Sequence, residues 1–452
     1  MGTLYSLISF IVAIAILVVV HEFGHFWVAK RLGVKVLRFS VGFGKPLWVR
    51  KFGKDNTELV VAAIPLGGYV KMLDENEDEV ADDEKHRAFN RKPLWVRTAV
   101  VIAGPLFNFL FAIVAYAAVF SFGVVDLQPV VDKIASDSIA STLDVREGDR
   151  ILKIDGYKVT GWGEHRIYLM RRALSGETVA MTLVGQNGAE REVKFDLSEV
   201  DIQRLRGNVM GDVMGLYPYQ RQIPPVVGEV LDGPAMRAGM KSGDRVVEIA
   251  GKKINTWSEL VKTVASNAGK EISIVVINNN VKRKLLITPD EVKTDKRNYG
   301  RINIRVDVPE FPKDKLVDIE YTVLQSIVVA TSRTWNMSAL TLQMLNKMLQ
   351  LKISTKNISG PITIAEYAGK SAKIGLDSFV LFLAVVSISL GVLNLLPVPV
   401  LDGGHLLYYL IEAIKGSPVS EQAMMVGQQV GIFLLVGLMM LAFYNDLVRL
   451  FG

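Results

Sequence analysis

The chain has 452 residues, of which 50% are hydrophobic, and it carries a formal net charge of +6. That length allows two to four domains, and a mean hydropathy of +0.28 is high for a soluble protein and fits a chain partly embedded in a membrane. The basic residues are spread out and flank apolar runs, so orientation in a membrane explains them better than nucleic-acid binding. The absence of cysteine excludes disulfides, a cysteine nucleophile and a thiolate zinc site.

Four segments are apolar and long enough to cross a bilayer, at about residues 4–27, 98–123, 379–396 and 426–444. The first has no basic n-region and no small-residue cleavage site before its histidines, so we expect a span and not a cleaved signal peptide. The loop formed by residues 28–97 contains fourteen Lys or Arg, which predicts a cytoplasmic loop. Both termini and the long segment 124–378 are then predicted to lie outside.

The first apolar run ends in a motif that predicts a metal site, because His21, Glu22 and His25 follow it without a turn signal. Histidines four residues apart project from one helix face and can hold one Zn²⁺, with Glu22 beside them as candidate general base. Glu22 is the only acidic residue among the first 54 positions, and ionisable groups at membrane depth usually mark function. The alternative is a helix end with two histidines at the lipid interface.

Residues 57–70 have strand character broken by Pro65, Gly67 and Gly68, which predicts a hairpin or short sheet whose apolar side touches the membrane. Its edge strand either captures an extended substrate by backbone pairing or belongs to an ordinary amphipathic hairpin. In the second span, Asn108 predicts a hydrogen bond across the helix bundle, with a role in supporting the metal ligands as the less favoured interpretation.

The long outside segment contains an internal repeat, because residues 143–156 recur as residues 238–251. At that constant offset, Asp149 pairs with Asp244 and Trp162 with Trp257. Two copies predict tandem small β-rich domains and not a solenoid. After them, residues 313–351 have an amphipathic helical pattern, and this helix is predicted to lie on the outer membrane surface or to pack on the tandem domains.

The third span ends in a run of polar and helix-breaking residues: Asn394, Pro397, Pro399, Asp402 and His405. Irregular backbone at membrane depth is tolerated only where it is buried in protein or lines a wet cavity. Asp402 is therefore the predicted third zinc ligand, with His405 as the alternative ligand and a helix cap as the structural interpretation of Asp402. Spans one and three run in the same direction, so their carboxyl ends emerge on the same side, as a shared metal requires.

These motifs resemble the site-2 protease family of zinc-dependent intramembrane metalloproteases over nearly the whole chain: H-E-F-G-H, G-F-G-K, P-L-G-G-Y-V-K-M, S-G-P-I and N-x-x-P-x-P-x-L-D-G-G. The resemblance implies one Zn²⁺ held by His21, His25 and Asp402, with catalysis by Glu22. It also implies that Asn394 and the loop of Pro397 and Pro399 contact substrate. The 57–72 hairpin, with Gly67 and Gly68, would help to clamp the unwound substrate.

The repeat resembles PDZ domains of the permuted type, which bind extended peptides by strand addition; a steric gate is an equally good interpretation. The predicted fold is an α-helical polytopic membrane protein with four transmembrane helices, a membrane-associated β-hairpin or sheet and two tandem β-rich PDZ domains. The predicted boundaries are 1–123 for the first two spans and the hairpin, 124–220 and 221–310 for the PDZ domains, 311–377 for the amphipathic region and 378–452 for the last two spans.

The family likeness implies cleavage of single-span membrane proteins in envelope stress signalling, such as an anti-sigma factor after a first external cut, and of remnant signal peptides. It implies a bacterial inner-membrane protein with periplasmic PDZ domains acting as a size filter and an active site towards the cytoplasm. Two other functional classes stay open at this point. A metal transporter would use the histidines and Asp402 as a conduit, and a non-catalytic scaffold would use the PDZ domains to recruit partners.

Overall fold

The computed structural model describes residues 2–77, 79–201, 207–294, 297–307 and 310–451. Its helices are α1 (Gly2–Arg31), α2 (Leu94–Ser121), α3 (Arg166–Ser175), α4 (Pro234–Arg237), α5 (Trp257–Ala265), α6 (Val323–Leu349), α7 (Pro361–Ile374), α8 (Leu376–Asn394), α9 (Asp402–Lys415) and α10 (Glu421–Phe451). Among the described residues, four helices are long and apolar enough to cross a membrane, namely α1, α2, α8 and α10. The four predicted spans are therefore confirmed as long apolar helices, and the last is longer at both ends than the sequence predicts.

Between α1 and α2 lie the long strands β1 (Val36–Phe52) and β2 (Thr57–Met72). Residues 38–41 of β1 lie between two parts of β2: they pair with residues 58–61 on one side and with residues 68–71 on the other. The second half of β1, residues 48–52, pairs with residues 57–61. The turn therefore lies between Phe52 and Thr57, outside the predicted 57–70 hairpin. The break at Pro65 to Gly67 separates the two parts of β2 that flank β1, so residues 68–71 form one edge of a small four-segment sheet.

The segment after α2 begins with β3 (Val124–Leu127) and contains two similar β units, of which the second has an additional hairpin formed by its sixth and seventh strands. The first has β4 (Lys133–Ile134), β5 (Arg150–Ile154), β6 (Tyr157–Lys158), β7 (Val179–Val184), β8 (Glu190–Phe195) and β9 (Leu216–Tyr217). The second has β10 (Val227–Val230), β11 (Arg245–Ile249), β12 (Lys252–Lys253), β13 (Ile272–Asn278), β14 (Val281–Ile287), β15 (Asp290–Thr294), β16 (Arg297–Arg301) and β17 (Ile304–Val306). The strand β18 (Leu316–Ile319) then returns to pair with β3.

The four-stranded sheets have the orders β6-β5-β7-β8 and β12-β11-β13-β14. Each is held by the repeated aspartate, which is buried in both units. Asp244 accepts hydrogen bonds from the backbone of Lys241 and from the guanidinium of Arg283, at 2.8 and 2.6 Å. Asp149 makes the equivalent pair with Arg191. The repeat motif thus closes the loop before the central strand with a buried charge pair, while the PDZ assignment and the predicted 220/221 boundary, which falls between β9 and β10, stay predictions.

The amphipathic helix α6 joins the helix bundle to the first β unit. It begins with a capping box in which Thr322 and Gln325 satisfy each other's backbone amides. Its first half contacts α2 and α8, where Arg333 stacks on Tyr116 at 5.4 Å. Its second half contacts α3, where Asn336 accepts a hydrogen bond from Arg171 at 2.5 Å. Of the two predicted placements, packing on the tandem β units is therefore observed, at the first unit.

The helices α1 and α8 run in the same direction. Near the amino end of α1, Ser6 contacts Gly369 of α7, the helix that leads into α8. Farther along, His21 of α1 meets Asn394 at the carboxyl end of α8. This parallel arrangement brings the ends of α1 and α8 to the same level, as the alternation of spans predicts.

Candidate metal centre

Three predicted ligands converge where α1, α8 and α9 meet. The Nε2 atoms of His21 and His25 are 3.2 Å apart. The carboxylate of Asp402 lies 3.2 Å from Nε2 of His21 and 3.6 Å from Nε2 of His25. Among the described residues, these three form a group whose ligand atoms could hold one metal ion.

The spacing of these atoms fits zinc. Bonds of about 2.0 to 2.1 Å in a tetrahedral arrangement place neighbouring ligand atoms about 3.3 Å apart, close to the three observed distances. Oδ2 of Asp402 is buried and has no hydrogen-bond donor in the described part of the chain, which is costly unless a cation satisfies it. Two imidazoles and one carboxylate are also a donor set that zinc accepts while keeping a fourth position for water.

The far nitrogen of each imidazole is held by α2. Nδ1 of His25 donates to the carbonyl oxygen of Val100 at 2.8 Å, which leaves Nε2 with its lone pair towards Asp402. The side-chain amide of Asn108 lies 3.1 Å from Nδ1 of His21, and Oδ1 of Asn108 is buried with no donor among the residues that the structure describes. Turning that amide by 180° lets Oδ1 accept the Nδ1 proton of His21, so that Nε2 of His21 is also free to bind metal. Asn108 thus contacts a predicted ligand directly, as its less favoured interpretation anticipates.

Gly104 of α2 leaves the space that both imidazoles occupy. A methyl group at this position would lie 2.3 Å from Nε2 of His25 and 2.7 Å from Cε1 of His21. A small residue before Pro105 inside an apolar helix indicates close helix packing from the sequence, but it does not reveal the contact with both imidazoles. A similar close approach occurs at Gly24, where a methyl group would lie 2.4 Å from the carbonyl oxygen of Ala103. Glycines therefore set how closely α1 and α2 approach each other at the site.

The loop between α8 and α9, which leads into Asp402, has a strained backbone at Val400. Val400 has φ of 90°, a region that β-branched residues rarely adopt. Asp402 is the first residue of α9, and the side chain of the preceding cap residue Leu401 makes no capping hydrogen bond. A methyl group at Gly403 would lie 2.1 Å from the carbonyl oxygen of Leu396, so the loop folds back tightly onto the start of α9.

Glu22 faces the edge of the small sheet. Its carboxylate accepts a hydrogen bond from the backbone of Val70. A methyl group at Gly68 would lie 3.2 Å from Cγ of Glu22 and 2.7 Å from Cγ1 of Val18, so only a glycine lets this edge pass so close to α1. The predicted general base and the predicted clamp are therefore neighbours.

The other predicted substrate residues lie around this point. Asn394 places Nδ2 3.3 Å from Nε2 of His21, beside the metal position. Gly67 has φ of 147° and lies under the ring of Phe43 at the bend of β2. Pro397 is exposed on the α8–α9 loop. A methyl group at Gly431 of α10 would lie 2.1 Å from the carbonyl oxygen of Pro399, so α10 packs closely on this loop.

The alternative ligand His405 lies one turn after Asp402 on α9. It is not part of the group formed by His21, His25 and Asp402 among the described residues. Burial lowers the pKa of His405 below its usual value. The geometry therefore favours Asp402 over His405 as the third ligand.

Two histidines and a carboxylate, with a glutamate beside them, are the donor set and base of metal-dependent hydrolases, and here an apolar helix bundle surrounds them. The chain matches the model of Peptidase family M50 over residues 9–438. It is 40% identical to the Regulator of sigma-E protease RseP of Escherichia coli (strain K12), with 99% of each chain covered. It is also 40% identical to Protease RseP of Yersinia pestis, with 100% of each covered, and 37% identical to a putative zinc metalloprotease of Vibrio cholerae, with 99% of each covered.

The chain belongs to peptidase family M50, and it is a zinc metalloprotease of the site-2 type. The predicted family and enzyme class are thereby confirmed.

Proposed function

We propose that this chain hydrolyses peptide bonds within membrane-spanning segments of single-span proteins, with His21, His25 and Asp402 as zinc ligands and Glu22 as general base. The observation that supports this most directly is the close approach of the three side chains: the Nε2 atoms of His21 and His25 lie 3.2 Å apart, and the two carboxylate oxygens of Asp402 lie 3.2 Å from His21 and 3.6 Å from His25. A zinc ion held there would polarise the scissile carbonyl and lower the pKa of the attacking water.

Glu22 moves the proton in this reaction. It follows His21 directly on α1, and its side chain lies against Gly68 at the sheet edge. From this position it accepts a proton from the attacking water and later donates a proton to the leaving amine. The side-chain amide of Asn394, beside His21, is placed to hydrogen-bond a substrate carbonyl near the scissile bond.

The sheet edge gives a reason why the substrate must be extended. Amides inside a helix are already hydrogen-bonded and sterically closed, so a transmembrane substrate has to unwind before attack. Residues 68–71 form an edge of the small sheet and lie against Glu22. An unwound segment that pairs with this edge satisfies its freed backbone groups. We therefore assign Gly67 and Gly68 to the substrate clamp, with Pro397 and Pro399 on the opposite loop.

The names of the relatives support a role in sigma-E regulation. The Escherichia coli protein is named as a regulator of sigma-E protease, and we propose that this chain likewise cleaves an anti-sigma factor after a first external cut, and remnant signal peptides. The fourteen basic residues of the 28–97 loop favour an inner-membrane orientation with the site towards the cytoplasm and the β units in the periplasm. In that orientation the two β units, as PDZ domains, would exclude substrates with bulky outer domains.

Glu22→Gln tests the mechanism. We expect this variant to keep one zinc per chain, because the three ligands are intact, and to lose cleavage of a single-span model substrate in proteoliposomes. Glu366→Gln is the matched control, since Glu366 is exposed on α7 and pairs only with Lys370 in the described part of the chain. Zinc loss in His21→Ala and Asp402→Ala completes the experiment.

Four outcomes would contradict parts of the proposal. Wild-type turnover by Glu22→Gln would remove Glu22 from the mechanism, and zinc flux through liposomes by that variant would favour a transporter. Full zinc content in both ligand variants would remove the metal site. Unchanged rejection of an uncut, large-domain substrate after deletion of both β units would count against the size filter.

A further inference from the structure

One face of α2 contacts both halves of the metal site. Its residues Arg97, Val100, Gly104 and Asn108 are spaced by three, four and four positions, so they line a single side of the helix. Val100, Gly104 and Asn108 hold the two imidazoles of α1, as described above. Arg97 instead reaches α9, the helix that begins with Asp402.

Arg97 binds α9 through two kinds of contact, and a third contact orients its side chain. Its guanidinium donates two hydrogen bonds to the Glu412 carboxylate, from Nη2 to Oε1 at 2.5 Å and from Nη1 to Oε2 at 3.2 Å. It stacks on the ring of Tyr409 at 5.0 Å. Its Nε donates to the carbonyl oxygen of Lys92, which fixes the guanidinium plane. Both charged side chains are only 16% exposed. We call Arg97, Tyr409 and Glu412 the α2–α9 brace.

The distances along the two helices match. Asp402 and Glu412 are ten residues apart, which is about 15 Å along α9. Arg97 lies seven residues from Gly104 and eleven from Asn108, which is about 10 to 16 Å along α2. The two helices therefore lie side by side in opposite directions, with the brace at one end and the ligand cluster at the other. Tyr409, two turns after Asp402, shares its helix face.

We propose that the α2–α9 brace is a positioning device, which fixes the position of α9 along α2 so that the Asp402 carboxylate reaches the two imidazoles. This proposal rests on the proposed ligand roles of His21, His25 and Asp402. The physical need is clear, because metal–ligand bonds tolerate deviations of only about 0.2 Å. The irregular loop before Asp402 packs on the start of α9, and the brace fixes the same helix ten residues farther along.

The test is zinc affinity, measured by competition with a chelator on the full-length protein in detergent. We expect Arg97→Met and Glu412→Gln to bind zinc about 10- to 100-fold more weakly, the range for residues that orient metal ligands. The visible spectrum of Co²⁺ in place of zinc gives a second readout that reports the ligand set. We expect both variants to move this spectrum towards that of Asp402→Ala, a shift that destabilisation alone does not produce.

Two further variants keep the test decisive if a buried unpaired charge prevents folding. Exchanging the pair, as Arg97→Glu with Glu412→Arg, should recover part of the zinc affinity. Arg97→Lys keeps the charge but loses the planar two-bond contact, and it should show an intermediate affinity. The matched control is Arg305→Met, which removes an exposed arginine that pairs with Glu229 at 2.6 Å in the second β unit, and which should leave affinity and spectrum unchanged.

The result that overturns the brace is distinct from the result that overturns the metal site. If His21→Ala loses zinc while Arg97→Met and Arg97→Lys keep wild-type affinity and spectrum, the brace is not a positioning device. If His21→Ala keeps zinc, the ligand assignment itself fails.

Discussion

Gly104→Ala adds one methyl group at the closest point between α2 and the metal ligands. The new carbon would lie 2.3 Å from Nε2 of His25, short by 1.1 Å of the 3.4 Å at which ordinary contact begins. The imidazole or α2 must move by about that amount, several times the roughly 0.2 Å that a zinc bond tolerates. We therefore expect zinc affinity to fall by about 100-fold or more, together with a loss of about 1 to 3 kcal/mol in stability from overpacking.

The assay is zinc content after dialysis against a chelator series, with thermal unfolding of the same samples. Gly437→Ala is the matched control, because it also adds a methyl to a long apolar helix but, beyond that helix's own backbone, meets no atom of the described residues within 4 Å. Cleavage of a single-span substrate should fall in proportion to zinc occupancy. If Gly104→Ala holds zinc as tightly as Gly437→Ala, the imidazoles do not lie against α2 as described, and the reasoning is refuted.

Three further predictions follow from particular contacts. Asn108→Leu should weaken zinc binding about 10- to 100-fold, measured by chelator competition, because it removes the partner of His21 Nδ1. Asp244→Asn should destabilise the second β unit by about 3 to 5 kcal/mol, seen as a lower melting temperature, because it leaves the partly buried Arg283 without its charge partner; an unchanged melting temperature would contradict this. Hydrogen bonds from Arg38 hold the pKa of Glu58 below its usual 4.5. The ionised Glu58 therefore stabilises the folded sheet above pH 4.5, and this stabilisation is lost as the pH falls through the lower folded-state pKa. Hydrogen exchange of the sheet formed by β1 and β2 should therefore quicken on acidification in the wild type and depend less on pH in Arg38→Gln.

The parts of the site that the sequence predicts are those fixed by the spacing of residues along one helix or by the number of membrane spans between them. His21 and His25 share a helix face because they are four residues apart in an apolar run. Asp402 is predicted to lie near them because the chain crosses the membrane twice between the end of the first span and the end of the third, so both ends emerge on the same side. The repeated Gly-Asp-Arg motif predicts two similar β units, since the same turn and strand follow in each copy. None of these inferences needs the packing of one helix on another.

The parts that the sequence leaves open depend on packing between distant segments. Arg97 and Glu412 are 315 positions apart, and the sequence around each residue gives no indication that the two side chains pair. The pairing of β1 with both halves of β2 also depends on distant contacts. The sequence does not show that residues 38–41 lie between the two halves, which the bend at Pro65 to Gly67 places on opposite sides of β1. Gly104 is visible in the sequence as a small residue, but only the contact with both imidazoles shows what its missing side chain makes room for.

The helix α1 contacts α2 on one face and the edge of the small sheet on another. The imidazoles of His21 and His25 face α2, whose backbone and side chains fix their orientation. Glu22, one residue on from His21 and therefore about 100° around the helix, faces the sheet edge at Gly68 and Val70. Substitutions on the α2 side should therefore lower zinc affinity and activity together. Substitutions at the sheet edge should lower turnover of an extended substrate while zinc stays bound, so measuring zinc and cleavage on the same samples separates metal binding from substrate alignment.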